Sequence, residues 1–307
     1  MDIRRIAAYA AIYLLWGGAY VAIRLLVEVI PPFFAAGLRY GLAALFLVPA
    51  LLLSAMPAMT RRQAWNGAWS GITLLVPGYS VVFWTEQRLP SWLVAVLMST
   101  TFLWTYLGES LVLRSYRFQL RMMPLLLLGV AAMPLVAGGG GPDGRAISIV
   151  PAIATLLCAM CWSCGSLAVK TIDLPRSPVQ TATIQLGVSG IVLLAFSWFL
   201  GEWRKVPSLA RAAWLQPSLA MGFLVIGSSV LGFVAYHWLM AHEPASRVAT
   251  SAYVNPLVAM FVGIVAMHER NSALQLAGAA AVLASIVLIW SVRFAWEPVW
   301  AVADRRR

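Results

Sequence analysis

Apolar stretches of about 20 residues recur along the whole chain and are separated by short polar segments. A membrane-spanning α-helix needs about 20 consecutive apolar residues, so each stretch is long enough to cross a bilayer. Ten such stretches can be delimited, at residues 6–26, 33–53, 65–85, 92–113, 122–138, 148–169, 179–200, 217–240, 246–267 and 273–292. The pattern therefore predicts an all-α integral membrane protein with ten transmembrane helices.

Composition indicates the same class. Hydrophobic residues make up 61% of the chain and charged residues only 11%, with a mean hydropathy of +0.82. Soluble domains usually contain about 25% charged residues. The first apolar stretch follows the basic sequence MDIRR, as a signal peptide would, but it spans residues 6–26 and lacks a small-residue cleavage motif. We interpret it as the first transmembrane helix.

The charge pattern predicts how the chain is oriented. A net charge of +11 can indicate nucleic-acid binding, but the Lys and Arg residues are spread through short loops and form no single patch. With the N terminus in the cytoplasm, 14 of the 22 Lys and Arg residues lie in cytoplasmic segments and 7 on the opposite side. This bias follows the positive-inside rule. We expect a multi-pass inner-membrane protein with both termini in the cytoplasm and no nucleic-acid partner.

An internal repeat runs through the chain. An offset of 146 residues pairs Trp16 with Trp162, Arg24 with Lys170, and Arg39 with Gln185. Further along, an offset of 154 pairs Gly78 with Gly232, Trp84 with Trp238, Pro90 with Pro244, and Leu103 with Leu257. The repeat predicts a first five-helix unit at 1–138, a Gly-rich linker at 139–147, a second unit at 148–293 and a cytoplasmic tail at 294–307.

Five spans is an odd number, so the second unit must cross the membrane in the opposite direction to the first. Inverted repeats of this kind are typical of secondary transporters, in which they allow a central site to face either side in turn. Arg24 and Lys170 end equivalent spans, and the inversion predicts that they lie on opposite faces of the membrane. Energetically, both are expected to be flanking residues that reach the membrane surface.

Several motifs occur in an order that is typical of one family. They are W-G at Trp16 and Gly17, Arg39 in the second span, G-Y-x4-W from Gly78, G-F-x4-W from Gly232, and the run PASRVATSAYVNPLVAMFVGIVAMHER at 244–270. In these features the chain resembles the EamA-type branch of the drug/metabolite transporter superfamily, and within it the amino-acid exporters of the YddG kind. The resemblance implies ten helices in two inverted repeats and the export of small metabolites.

The first repeat departs from the family pattern at two places. The E-R pair that ends the long run, Glu269 and Arg270, has Ser115 and Tyr116 at the expected positions of the first repeat. Pro256 is present in the ninth span, whereas Phe102 stands at the corresponding place in the fourth.

The sequence predicts no enzyme, metal or other cofactor. It contains no H-E-x-x-H, no G-x-S-x-G and no phosphate-binding Gly-rich loop. Cys158, Cys161 and Cys164 have the spacing of a metal cluster, but they lie in one predicted helix. Each step of three residues turns the next thiol by about 60°, so one helix cannot place all three around an ion. We interpret these cysteines as packing residues.

Two charged residues inside the predicted spans are candidates for function. Arg39 lies roughly 9 Å below the outer end of the second span, which is deep for a residue that only reaches the surface. It either binds backbone carbonyls or a carboxylate such as Glu28, or contacts an anionic group of the substrate. Glu109, in the fourth span, either reaches the cytoplasmic surface or, if it is buried, is a candidate proton carrier.

Aromatic and hydroxyl residues at helical spacing predict a central cavity. Inversion-related helices around a common axis would bring them together near the middle of the membrane, where they suit a small amphipathic solute. The predicted cavity residues, with Arg39 as the charged one, are Trp16, Tyr20, Arg39, Tyr79, Thr100, Trp104, Trp162, Ser166, Ser251 and Asn255. The alternative interpretation is that these side chains only pack the helices or line the membrane interface.

Helix-breaking residues predict moving parts. Pro77 with Gly78 and Asn255 with Pro256 are expected to interrupt the third and ninth spans and to serve as gates. The function expected is export of amino acids or similar small metabolites by alternating access, through a monomer or weak dimer in contact with membrane lipid. The alternatives are efflux of aromatic or cationic drugs, and a membrane-embedded binding or assembly protein that transports nothing.

Overall fold

The structure, a computed structural model, describes residues 3–115, 148–205 and 215–267, with isolated positions between 120 and 131 and between 272 and 288. These residues are helical, and no strand occurs among them. The α-helices are α1 (Ile3–Val27), α2 (Pro32–Leu53), α3 (Arg61–Glu86), α4 (Ser91–Met98), α5 (Thr101–Leu107), α6 (Ile149–Thr171), α7 (Pro178–Phe199), α8 (Leu215–Gly222), α9 (Gly232–His242), α10 (Ala245–Val248) and α11 (Ser251–Met267). Gly108–Val112 and Phe223–Leu231 are π-helical, and Glu202–Lys205 is a 3₁₀-helix.

Eight of the ten predicted spans fall on the described residues and are helical. Five helical segments there are both long enough and apolar enough to cross a membrane, namely Ile3–Val27, Pro32–Leu53, Ile149–Thr171, Pro178–Phe199 and Leu215–His242. The predicted spans 122–138 and 273–292 lie largely outside the described residues, as do the linker and the tail. The described residues thus form an all-helical fold with five segments of membrane-spanning length and composition, and the total of ten helices stays a prediction.

The first residues of three long helices follow from local sequence. Proline at the first helical position, where no backbone N–H is needed, begins both α2 at Pro32 and α7 at Pro178. A capping box begins α3, in which the Thr60 hydroxyl accepts from the Gln63 backbone N–H at 3.1 Å. The Gln63 side chain in turn accepts from the Thr60 N–H at 3.1 Å.

The expected breaks at Pro77 with Gly78 and at Pro256 are wrong. The α-helical assignment continues through both prolines, because a proline removes one backbone hydrogen bond while the turns on either side remain. The role of these three residues as gates stays a prediction.

The observed breaks lie at residues 99–100, between α4 and α5, and at 249–250, between α10 and α11. At the first, the hydroxyls of Ser99 and Thr100 donate to the carbonyls of Val96 and Leu97 at 2.6 and 2.8 Å. At the second, the Thr250 hydroxyl donates to the carbonyl of Arg247 at 2.6 Å. Such bonds compete with the helical backbone pattern, which accounts for breaks that contain no proline.

The two halves of the chain pack against each other along their lengths. The most extensive helix contact among the described residues joins α2 to α7, and α1 packs against α11 and α9. Glycines permit the closest approach: a Cβ at Gly190 would lie 2.6 Å from the backbone nitrogen of Gly41. The packed interior therefore lies between the two halves.

Arg24 and Lys170 lie at opposite ends of the bundle. The Arg5 side chain, near the start of α1, lies 3.4 Å from the Glu243 carboxylate. Lys170 donates to the backbone carbonyl of the same Glu243. Arg24 lies 19 residues after Arg5 on α1, or about 28 Å at 1.5 Å per residue. This placement agrees with an inverted pair of repeats, and we refer to the two ends as the Lys170 end and the Arg24 end.

Candidate substrate-binding site

Two tryptophans from equivalent positions of the repeat meet at the centre of the bundle. The ring centroids of Trp16, on α1, and Trp162, on α6, lie 5.6 Å apart with an angle of 89° between the ring planes. Edge-to-face contact is a favourable arrangement for aromatic rings. The two side chains are nearly buried. The offset that relates these residues in the sequence thus corresponds to a contact in the structure.

The neighbours of the two tryptophans are equivalent as well. The Tyr79 ring lies 5.5 Å from that of Trp162, and the Phe233 ring lies 5.8 Å from that of Trp16. Tyr79 and Phe233 are related by the offset of 154. The same aromatic contact between the halves is therefore made twice, and in each case a tryptophan of one half packs against a ring of the other.

The glycines that precede these two rings are needed for the contact. A Cβ at Gly78 would lie 3.3 Å from the backbone of Trp162, and one at Gly232 would lie 2.6 Å from Nε1 of Trp16. Any larger residue at Gly232 would push the indole away. The G-Y and G-F motifs thus set how closely α3 and α9 approach the tryptophans.

A small cavity lies beside the tryptophan pair. Seven of the predicted residues line it, namely Trp16, Tyr20, Tyr79, Trp162, Ser166, Ser251 and Asn255. Its volume is about 30 Å³, enough for two or three water molecules at roughly 10–15 Å³ each. An amino acid does not fit this volume, so binding one requires the surrounding helices to move apart.

Trp104 and Thr100 do not line the cavity. The Trp104 side chain is 38% exposed, and the Thr100 hydroxyl is bonded to its own helix. The prediction placed both on the inner face by assuming one continuous helix. Because the break at residues 99–100 changes the helical phase, Met98 and Thr101 face the cavity instead.

Sequence reasoning missed eight lining residues, which are Met98, Thr101, Tyr236, Met240, Ala245, Val248, Ala249 and Ala252. Tyr236 is the most informative, because its hydroxyl donates to the Ser166 hydroxyl at 2.9 Å and its ring lies 5.4 Å from Trp16. It follows the G-F motif at helical spacing, three residues after Phe233, and that spacing could have identified it. The alanines carried no signal of their own.

Arg39 lies behind the cavity wall and is 1% exposed. Its Nε and Nη2 donate to the hydroxyls of Ser229 and Ser228 at 2.8 and 2.7 Å. Its guanidinium carbon lies 5.7 Å from the centre of the Tyr79 ring, within range of a cation–π interaction. The predicted bond to Glu28 is absent from the described structure, since Glu28 pairs with Arg24 at 3.2 Å.

Gln185, the equivalent of Arg39 in the second half, is also buried. Its amide nitrogen donates to the Ser70 hydroxyl at 2.9 Å, and its amide oxygen lies 2.8 Å from Nε2 of His237. His237 is related to Phe83 by the offset of 154, and the Arg39 guanidinium lies 5.8 Å from the Phe83 ring. The two side chains thus share one pair of equivalent neighbours, Phe83 and His237, while their hydrogen-bond partners are not equivalent and only Arg39 is charged.

The sequence matches the EamA-like transporter family twice, over residues 6–137 and 150–291. The chain belongs to this family. It is a membrane transporter, and the two matches coincide with the two halves that the offsets define.

Relatives of this EamA-like transporter cover nearly its whole length. It is 29% identical over 285 residues to the uncharacterized inner membrane transporter YedA of Escherichia coli (strain K12). The aligned region covers 92% of this chain and 89% of YedA. It is 24% identical over 284 residues to a probable amino-acid metabolite efflux pump of Salmonella typhimurium, covering 90% and 91%. A solved crystal structure matches with a TM-score of 0.73 and 17% identity, over 94% of this chain and 97% of that one, and supports the fold.

One interpretation expected the Glu109 side chain to reach the cytoplasmic surface. In the structure this side chain is buried instead. It is 4% exposed, and its carboxylate oxygens accept from the backbone N–H groups of Ala245 and Ser246 at 2.8 and 2.9 Å. The Ser246 hydroxyl also donates to it. Glu109 therefore caps α10 from the other half of the chain, and its role in proton coupling stays a prediction.

Arg24 and Lys170 each bind the C-terminal carbonyls of an equivalent helix. Arg24 donates to the carbonyl of Glu86 at the end of α3 and, at 3.5 Å, to that of Leu89. Lys170 donates to the carbonyls of Met240 and Glu243 at the end of α9. Glu86 and Met240 differ by 154 in residue number, and so do Leu89 and Glu243. The repeated cation thus serves as a helix cap, where positive charge is favourable.

Glu86 was given no role from the sequence, yet its side chain is fully buried. One carboxylate oxygen accepts from the Ser91 hydroxyl at 2.8 Å. The other has no hydrogen-bond partner within the described part of the chain. Its position next to a loop concealed this burial, because the loop folds back over the end of α3.

Proposed function

We propose that this transporter exports amino acids or similarly small metabolites across the inner membrane by alternating access, as a monomer or weak dimer with both termini in the cytoplasm. The observation that carries the proposal is the contact between Trp16 and Trp162 beside a cavity lined by both halves. A site on the axis between inverted repeats can face either side when the two halves exchange conformations.

The two ends of the bundle support a path to this cavity. A pocket of about 390 Å³ lies at the Lys170 end, lined in part by Glu109 and Glu243. A second, of about 580 Å³, lies at the Arg24 end, lined in part by Trp84 and Glu202. The narrow central cavity between them favours a small solute, and its rings with a few hydroxyls suit an amphipathic one.

One relative of the transporter is named a probable amino-acid metabolite efflux pump. Efflux of cationic drugs, the alternative within transport, needs a carboxylate in the cavity. Glu109, the residue predicted for that role, lines the pocket at the Lys170 end and caps α10. Amino-acid export is therefore the function we favour.

Purified protein in liposomes preloaded with labelled amino acids tests the proposal. We expect efflux of at least one amino acid, and repetition with and without a pH gradient shows whether protons drive it. Trp16→Ala and Trp162→Ala should each reduce the rate at least tenfold, because each removes half of the aromatic pair.

Trp104→Ala is the matched control, since it removes an indole of the same size that does not line the central cavity. It should keep a rate within about twofold of wild type. An equal loss in all three variants, or no efflux across a broad panel of amino acids, would contradict the proposal. The second result would favour a binding or assembly protein.

A further inference from the structure

We propose that Arg39 binds the carboxylate of the transported solute, so that this transporter selects anionic or zwitterionic substrates over the corresponding amides, which lack the carboxylate. The inference rests on the proposed function and specifies what its central site recognises. It starts from the unused hydrogen-bonding capacity of the one guanidinium buried inside a described span.

The Arg39 guanidinium is buried and incompletely bonded. Nε and Nη2 donate to two serine hydroxyls, whereas Nη1 is buried with no hydrogen-bond partner among the described residues. A buried donor without a partner is costly, and natural structures rarely retain one without a functional reason. Nη1 is therefore available for a ligand.

The charge of Arg39 is also left without a counterion in the described part of the chain. The ion pairs there involve Arg5, Arg24 and Arg247, and none includes Arg39. The rings of Tyr40, Tyr79 and Phe83 lie 5.2, 5.7 and 5.8 Å from the guanidinium carbon and partly stabilise it. Because two serines and three rings bring no negative charge, a carboxylate would find here a cation already stripped of water.

Arg39 is one side chain away from the cavity, by two routes. Tyr79 lines the cavity on one side and contacts Arg39 on the other. Ser228 accepts from Arg39 through its hydroxyl and from Nε1 of Trp16 through its carbonyl, at 2.7 and 3.0 Å. Movement of Tyr79 would join the guanidinium to the cavity, and the cavity must widen in any case to admit a solute.

Comparison with Gln185 shows which properties of Arg39 are not needed for helix packing. It occupies the equivalent buried position, bonds to Ser70 and His237, and has a partner for each polar atom. A neutral amide therefore suffices to hold the helices together at this place. The charge and the spare donor of Arg39 exceed that need, which assigns them to a ligand.

The experiment compares L-phenylalanine with L-phenylalaninamide, both labelled, in efflux from liposomes that contain the purified protein. Wild type should export the acid at least about tenfold faster, the factor expected for one charge-assisted hydrogen bond. Arg39→Gln, which makes the first half like the second, should bring the ratio of the two rates close to one. Arg39→Lys keeps the charge and should retain part of the preference, and Gln185→Leu should retain all of it.

A binding measurement tests the carboxylate site without requiring transport. Millimolar benzoate should raise the melting temperature of the detergent-solubilised wild type more than benzamide does, and Arg39→Gln should abolish the difference. If wild type exports neither phenylalanine compound but shows this benzoate effect, the proposed function fails and the carboxylate site stands. Equal stabilisation by benzoate and benzamide in wild type, or an unchanged rate ratio in folded Arg39→Gln, overturns the site.

Discussion

The two halves of the chain do the same thing at their helix ends and different things in their interior. Arg24 and Lys170 bind equivalent carbonyls at the ends of α3 and α9, whereas Arg39 and Gln185 occupy equivalent positions with different charge. The repeat is thus preserved at these helix ends and in the tryptophan pair beside the cavity, and it has diverged in charge at the buried position of Arg39 and Gln185. That difference between equivalent positions is the basis for assigning Arg39 to recognition.

The carboxylate caps between the halves lie at different places in the repeat. Glu109, from the first half, accepts from backbone N–H groups at the start of α10, whereas Glu202, from the second half, accepts from the Phe34 N–H near the start of α2 at 2.9 Å. The residue that the offset of 154 relates to Glu109 is Gly263, so the two caps are not equivalent.

Glu109→Ala should have the largest effect on stability. It removes the acceptor of three hydrogen bonds and leaves two buried N–H groups unpaired, at a cost of about 2–4 kcal/mol in the free energy of unfolding. Reversible unfolding in mixed detergent micelles measures it. Glu28→Ala is the control, since Glu28 is 53% exposed and its loss should cost less than about 0.5 kcal/mol. Equal effects of the two changes would show that the cap adds nothing.

Arg24→Met and Lys170→Met should have smaller and matching effects. Each change leaves two carbonyls at a helix C terminus without a charged donor, which costs about 1–2 kcal/mol. The same unfolding assay measures both, and Arg176→Met, at an exposed loop arginine near the Lys170 end, serves as the control. A loss confined to one of the two variants would break the equivalence of the halves.

Single-cysteine labelling should leave stability and transport nearly unchanged while testing orientation. With Cys158, Cys161 and Cys164 replaced by alanine, Arg88→Cys should react with an impermeant maleimide from outside the cell. Arg176→Cys should react only after the membrane is opened. Both positions are exposed. Reaction of both from the same side would contradict the inverted topology.

Much of the membrane fold and the centre of the site could be predicted from periodicity and from the offsets. The contact between Trp16 and Trp162 follows from the repeat, because equivalent residues of inverted halves meet where the halves meet. Trp104 was misplaced because the hydroxyls of Ser99 and Thr100 break a helix that the apolar pattern shows as continuous.

Other features depended on partners far apart in the chain. Arg39 binds Ser228 and Ser229, about 190 residues away, and Glu109 binds backbone groups 136 residues away. Backbone N–H groups carry no signature in a sequence, and serines are too common to identify a partner. Only the folded chain shows that these two charges are buried and bonded.

The small volume of the central cavity has a consequence for the cell's electrochemical gradients. A space of about 30 Å³ holds two or three water molecules, fewer than a continuous file through the described helices would need. Because protons move along files of water, a central site of this size would limit proton leakage through that part of the bundle between transport cycles.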